Sequence, residues 1–318
     1  MKKEKLKISV IMPVYNGSST VARTLESLLE QTAKFDELII INDASSDNSE
    51  NLIRNFLDGK IEYRLAVSEK CRGLAASYNK GIRLATGKLI VTLHQDIILS
   101  KDSLEKLILP FQNETVVAAG HTVAHPVEVW NGYNFWQKCF FARLVEKEFS
   151  GIDGKFDCFR RESLEKAGLF DEVNFQSAGE DGDMVFKLKK IGRVADTDAK
   201  IIHVHRADKS FGIRDIIYKQ KQYSEAQGAL FVRGRIERGA DFSRAFFREL
   251  LVVALFVPYI RIVSVCAIAA YSILYTKKVF SYGYRNKRIF ILPFLNIYLL
   301  LVSFIYSLRG MIYKKQRI

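Results

Sequence analysis

Two stretches near the amino terminus decide the fold: Ile8-Ser-Val-Ile-Met-Pro-Val-Tyr-Asn16 and Ile41-Asn-Asp-Ala-Ser-Ser-Asp-Asn-Ser49. The first is a short apolar run with almost no polar interruption, the pattern of a strand covered on both faces, and it stops in polar turn residues. Between the two, Val21, Leu25, Leu28 and Leu29 recur at helical spacing, so the segment reads strand, helix, strand. Ser45 and Ser46 are good N-caps for a helix carrying Leu52, Ile53 and Phe56.

Working outward, the same alternation continues to Gly120, with strands expected at Ile8–Val14, Glu37–Ile41, Ile61–Ala66, Lys88–Leu93 and Val116–Gly120. Right-handed crossovers gather the carboxyl ends of such strands on one edge, where open α/β sheets bind ligands. Three polar loops fall there: Tyr15-Asn16-Gly17, Asn42-Asp43-Ala44-Ser45 and His94-Gln95-Asp96. The stretch from His121 to Lys155 has weak periodicity and reads as an irregular loop with helical pieces. Beyond it, Phe156–Arg160 and Ala199–Val204 read as strands and Asp181–Lys190 as a helix.

The amino terminus sets lysines before an apolar run, but the run is too short for a secretion signal and Pro13 interrupts it, so it is read as the first strand. Cys71, Cys139, Cys158 and Cys266 are scattered, with no paired spacing for zinc or a disulfide framework, which suggests a reducing compartment. Forty-eight Lys and Arg against 35 Asp and Glu leave a formal charge of +13, which draws the chain toward a polyanion. Much of that charge crowds into the last hundred residues around apolar runs, and no nucleic-acid recognition motif accompanies it. Membrane lipid is therefore the expected partner, not nucleic acid.

The composition changes after about residue 240, giving an expected α/β domain over 1–240 and a membrane-associated helical region over 241–318. Leu250–Thr276 is apolar apart from Arg261, and Ile289–Leu308 is about as long as a bilayer-spanning helix and carries no charge. All three flanks of these segments are basic, against the asymmetry expected of a simple hairpin. Two spanning helices and two helices lying in the interface both remain open.

The order of these features resembles the family 2 glycosyltransferases of the GT-A fold, over about Ile8 to Ser210. Ile8–Asn16 is similar to that family's first strand and nucleotide loop, and the stretch from Ile41 to its second-strand segment, with Asp43 at the nucleobase position. Gly73-Leu-Ala-Ala-Ser-Tyr-Asn-Lys-Gly81 with Ala85-Thr-Gly87 matches the helix under the donor, and His94-Gln95-Asp96 stands where the family usually has Asp-x-Asp. Gly168–Glu172 and Gly179-Glu-Asp-Gly-Asp183 look like its acceptor-side segments. Where relatives often carry an asparagine and an arginine, this chain has Cys71 and Tyr78.

The resemblance implies a mainly parallel sheet flanked by helices and a nucleotide-sugar donor, with UDP- and dTDP-sugars expected first. It implies donor contacts from Pro13, Tyr15, Asn16, Asp43, Gly73, Asn79, His94 and Gln95, and a divalent cation, Mg²⁺ or Mn²⁺, on Asp96. A histidine, His203 or His205, reaches the metal or the diphosphate in such enzymes. Asp181 is the implied base with Glu180 beside it, and one base without a nucleophile implies inversion. The acceptor expected is a glycan or lipid-linked glycan of the O-antigen or capsule kind, handled at the cytoplasmic face of a bacterial inner membrane. Two alternatives stand beside it: transfer to a polyprenyl phosphate, and a non-catalytic protein that binds nucleotide or lipid.

Overall fold

Strand β1 (Ile8–Val14) is buried along its length and runs parallel to β2 (Glu37–Asn42) on one side and β4 (Leu89–Thr92) on the other. In this computed structural model, which describes residues 6–204, 211–236, 240–281 and 286–318, β3 (Arg64–Val67) extends the parallel half beyond β2. Pro13 sits in this central strand without breaking it. Odd-numbered residues of β1 face β4, as Leu93 N–H donating to the Ile11 carbonyl shows, and the β4 ladder ends at Ile11. The missing donor of Pro13 therefore falls where no strand waits for it.

The remaining strands are β5 (Ile97–Leu99), β6 (Val116–Ala124), β7 (Glu148–Gly151), β8 (Cys158–Arg160) and β9 (Arg193–His203), and the sheet order is β3-β2-β1-β4-β8-β6-β9-β5, with β7 on β6. β8 enters antiparallel between β4 and β6, so the sheet is mixed: parallel through β3-β2-β1-β4 and again at β6-β9. β6 runs to Ala124, β3 starts at Arg64, and β9 starts at Arg193, six residues before the strand expected there. The extra length of β6 and β9 comes from their pairing with each other, which periodicity cannot register.

Both faces are covered. Ile8, Val10, Met12 and Val14 share a core with Leu25 and Leu28 of α1 (Val21–Leu29) and Ile53 and Leu57 of α2 (Ser49–Leu57). Ile11, Ile39 and Ile41 face the opposite core, with Ala75, Tyr78 and Ile82 of α3 (Leu74–Leu84). Alternation along the strands thus assigns each side chain to one of two layers, which is why the runs read as continuously apolar. α4 (Ser103–Ile108), α7 (Arg161–Lys166) and α8 (Glu180–Leu188) complete this unit, which comprises Met1–His125 and Glu146–Arg206.

The second unit comprises Pro126–Val145 and Ala207–Ile318. It holds α5 (Val127–Asn131), α6 (Phe135–Phe141), α9 (Ile213–Val232), α10 (Ala240–Ala245), α11 (Phe247–Ala254), α12 (Arg261–Leu274), α13 (Lys277–Ser281) and α14 (Leu292–Tyr313). Where composition draws a boundary near 240, compactness places α9 and the 126–145 insertion with the apolar helices. α9 and α14 approach at glycines: a Cβ on Gly228 would sit 2.0 Å from the Ser307 carbonyl, and one on Gly310 2.0 Å from that of Glu225. Such backbone proximity is the packing that small residues permit between apolar helices.

Among the described residues one helix, Lys287–Tyr313, is long and apolar enough to cross a membrane, with mean hydropathy 2.3. The first apolar segment is broken instead. Helix α11 ends at Ala254, Pro258 follows, and α12 begins at Arg261 and runs 14 residues, short of the roughly 20 that a span requires. Arg261 therefore stands at a helix start and not in mid-helix. Phe256, Tyr259, Ile262, Phe290 and Phe294 are strongly exposed for their size.

Candidate active site

The three polar loops after β1, β2 and β4 tie one another in place. Tyr15 N–H donates to Gln95 Oε1 and Gln95 Nε2 donates back to the Tyr15 carbonyl, each at 3.0 Å. Asn16, at φ +49°, accepts from the Ser46 N–H, while its own N–H donates to Ser45 Oγ. Ser45 and Ser46 thus brace the first loop instead of capping α2, whose N-cap is Asn48. Gln95, expected to touch the donor, spends both ends of its amide on Tyr15, and the half-exposed Tyr15 ring is what the loop presents to solvent.

Asp43 is buried, and its carboxylate accepts from the N–H groups of Arg72 (3.0 Å) and Gly73 (2.8 Å) and from the Cys71 thiol (3.3 Å). It organises the 71–73 turn, beside a cleft also lined by Ser68, Ser77 and Lys80. Gly73 needs to be glycine: its φ is +92°, and a Cβ would lie 2.7 Å from the Gln176 carbonyl. Asn79 departs from expectation. Its side chain bonds both the N–H and the carbonyl of Phe170 and Glu172 Oε2, so it pins the Phe170–Glu172 segment from inside the core and has no amide left to offer a donor.

Strand register builds the next group. β5 pairs antiparallel with β9, Ile97 against His203, and Val204 N–H donates to the Asp96 carbonyl. That brings His203 Nε2 to 3.2 Å from Asp96 Oδ2, with His94 Nδ1 3.9 Å from Oδ1. His205, the other histidine considered, lies outside the described residues. Burial pushes His94 down to about 4, against the pull of Asp96, so its ring is neutral near pH 7 and one nitrogen can accept. Tyr78, fully buried, stacks on His94 at 6.4 Å and donates its hydroxyl to the Gly154 carbonyl at 2.9 Å. An aromatic ring here supports the histidine from below, where an arginine would bring charge.

The acids at the start of α8 are not equivalent. Burial, then the charge of Asp181, pushes Glu180 up to about 8, so it carries a proton at neutral pH, and its Oε2 has no hydrogen-bond partner. Asp181 is also raised, by burial first, but the Gly182 N–H at 2.7 Å and the charge of Lys155 oppose the rise. Asp183 pairs with Lys187 one turn on, at 2.6 Å, a contact internal to the helix. Both carboxyls of the pair are pushed up by burial, Glu180 far enough to hold its proton at neutral pH.

Sequence reasoning missed the segment from Asp153 to Asp157. His121 Nδ1 lies 3.0 Å from Asp157 Oδ1 and its Nε2 3.3 Å from Asp153 Oδ1, and Asp153 pairs with Lys155. These three residues could each offer an atom to a cation, all within 4.8 Å. The two carboxylates sit on opposite ring nitrogens. The arrangement is a carboxylate–imidazole–carboxylate chain. No local signal marks it, because His121 is on β6 and its partners lie more than thirty residues later.

A mixed α/β sheet with polar loops at the carboxyl ends of its strands, a carboxylate–imidazole pair after β4 and an acid pair opening a helix define a GT-A glycosyltransferase fold. The model of the family described as glycosyl transferase family 2 matches residues 9–167, and the chain belongs to that family. It is similar to an uncharacterised glycosyltransferase of Nostoc, 24% identical over 236 residues, covering 70% of this chain and 72% of that protein. It is also similar to an Escherichia coli protein named UDP-Glc:alpha-D-GlcNAc-diphosphoundecaprenol beta-1,3-glucosyltransferase, 35% identical over 101 residues, covering 32% of this chain and 39% of the other. Against several curated relatives the match spans less than half of their length. Among solved structures, a mannosyltransferase of Pyrobaculum calidifontis in complex with GDP-Man and Mn²⁺ shares the fold, at TM-score 0.64 and 18% identity over 96% of this chain and 88% of that one.

Proposed function

We propose that this protein is an inverting, metal-dependent glycosyltransferase that moves a sugar from a nucleotide-diphospho-sugar to a hydroxyl of a lipid-linked surface-glycan intermediate at a membrane. The observation that carries the reading is the approach of His203 to Asp96 at 3.2 Å after β4. A carboxylate and an imidazole so close, flanked by a neutral His94, make a mixed oxygen and nitrogen donor set that suits Mn²⁺ at least as well as Mg²⁺. Asp96 and His203 would hold the ion, which when bound neutralises the charge of the departing diphosphate.

The chain's own residues do the rest. Tyr15 and the Asp43-organised turn at 71–73 receive the nucleoside, and His94 accepts from a ribose hydroxyl. Asp181 takes the proton from the acceptor hydroxyl as it attacks, a step typically worth about 10²- to 10⁴-fold. Glu180, protonated, donates a hydrogen bond and orients the acceptor or the base. A single displacement assisted by this one base inverts the anomeric centre.

Similarity to an enzyme named for a diphosphoundecaprenol-linked sugar, together with an apolar carboxyl-terminal unit rich in exposed aromatic and aliphatic side chains, supports a lipid-linked acceptor. The basic residues around α12 and α14 would rest on anionic headgroups on the cytoplasmic side. Transfer to polyprenyl phosphate itself is the second reading. A hydrolysis screen of UDP-, dTDP- and GDP-sugars with Mg²⁺ and Mn²⁺ identifies the donor, and membranes supplied with polyprenyl phosphate or with a pre-glycosylated lipid separate the acceptors. Absence of turnover with every donor and metal would overturn the enzymatic reading.

A further inference from the structure

We infer that the carboxyl-terminal helices dock in one leaflet of an anionic membrane without crossing it: α11 and α12 form a hairpin that returns to the side it entered, and α14 lies along the surface. This rests on the proposed action at a membrane and adds how the chain is seated there.

The register of α9 on α14 carries the argument. Ser224 Oγ lies 3.0 Å from Ser303 Oγ, a Cβ on Gly228 would meet the Ser307 carbonyl, and Arg233 Nε donates to the Lys314 carbonyl at 2.6 Å. The partners advance together along both helices, so α9 and α14 run parallel and side by side. Arg214, Asp215, Lys219 and Lys221 of α9 therefore come level with the charge-free run Ile289–Leu308. A span built on that run would carry their charges through the acyl region, where each is costly.

Lying flat removes the conflict. α14 exposes Phe294, Tyr298, Leu301, Ile305, Leu308 and Ile312, whose steps of three and four residues make one apolar stripe. Ser303, Ser307 and Gly310, which meet α9, fall on the opposite side of the same helix. One face thus suits acyl chains while α9 covers the other with its polar and charged residues.

The first apolar segment doubles back. Ser264 Oγ donates to the Leu251 carbonyl at 2.6 Å, and the rings of Phe247 and Tyr271 lie 6.5 Å apart. A continuous helix would hold Leu251 and Ser264 about 20 Å apart, so the chain turns between α11 and α12, at Pro258. Both legs are tied to α14: Ser303 and Ser307 donate to Glu249 Oε1 at 2.6 and 2.8 Å, and Asn296 Nδ2 donates to the Ser272 carbonyl at 2.7 Å. The turn exposes Phe256 and Tyr259, and beside them the exposed Arg261 can reach headgroups from a hairpin lying at a shallow tilt.

Charge names the occupant. No acidic residue follows Glu249, whereas Arg244, Arg248, Lys277, Lys287, Arg288 and Lys315 stand at the ends of these helices. Seating every helix end on one side brings all of them to anionic headgroups and accounts for basic flanks on all three stretches.

The test is labelling with a membrane-impermeant maleimide in inside-out vesicles from expressing cells. The background is the full chain with Cys71→Ser and Cys266→Ser, because Cys139 and Cys158 are buried. Lys287→Cys and Lys315→Cys, at the two ends of α14, are each expected to label from outside to the extent reached once detergent opens the vesicles. A crossing α14 would leave one end inside, so protection of either until detergent is added overturns the inference. Should these variants misfold, trypsin outside intact spheroplasts tests the unmodified chain: the connection at 277–288 stays uncut, and a cut there contradicts one-leaflet seating equally. Recovery of the chain in the soluble fraction would sink the membrane reading itself. None of these measurements needs donor or metal, so their outcome is separate from that of the hydrolysis screen.

Discussion

His203 Nε2 stands 3.2 Å from Asp96 Oδ2, brought there by the antiparallel register of β5 with β9, in which Ile97 faces His203. Two residues more than a hundred positions apart are thus set within coordination distance of one ion by a three-residue strand.

If they share a cation, Asp96→Asn and His203→Ala each raise the Mn²⁺ concentration needed for half-maximal donor hydrolysis by at least about tenfold, the loss typical of disturbing a metal site. Metal titration at saturating donor reads this directly. An unchanged Mn²⁺ dependence in both variants would remove the pair from metal binding.

Glu180 makes stability depend on pH. Its carboxyl is raised from 4.5 to about 8, so between those values the folded chain keeps a proton that the unfolded chain has released. Stability therefore falls as pH rises through that window. Glu180→Gln cannot lose this proton, and its advantage over the unmodified chain grows from about pH 4.5 to pH 8 and then levels off. Denaturation at pH 5 and pH 9 measures it, with a difference larger than about 1.4 kcal/mol, the worth of one pKa unit.

Asn79→Ala separates a core role from a donor contact. The substitution strands the Phe170 N–H and the Glu172 carboxylate, a loss of about 1 to 3 kcal/mol. Thermal unfolding shows the loss, while the KM for the donor stays as it was. A donor KM that rises without loss of stability would return Asn79 to the donor site.

Gly310→Ala puts a Cβ 2.0 Å from the Glu225 carbonyl, and neither backbone can retreat without parting α9 from α14. Overpacking of this kind costs about 1 to 3 kcal/mol or more. Limited proteolysis then cuts within 213–313 while the fragment bearing β1 to β9 persists. Equal resistance of variant and parent would show that the helices do not need the close approach.

The parallel half of the sheet was legible because β1, β2 and β4 are covered on both faces and α1 carries one apolar stripe. Asp96 follows β4 and the acid pair opens α8, the places that the family resemblance gives them. What the order of residues could not convey is which polar side chains serve the protein itself. Asn79 and Gln95 have the right chemistry for a ligand and spend it on Phe170 and Tyr15, contacts made across 91 and 80 residues. The His121–Asp153–Lys155 chain escaped for the same reason, and Arg261 changed meaning once Pro258 broke the apolar segment before it.

The most direct test of the central claim is turnover by Asp181→Asn with the donor found in the screen, at saturating Mn²⁺, alongside calorimetric donor binding. The account predicts a fall in kcat of at least about 10²-fold with donor affinity retained, since the base acts on the acceptor and not on the nucleotide. Turnover close to that of the unmodified chain would contradict it.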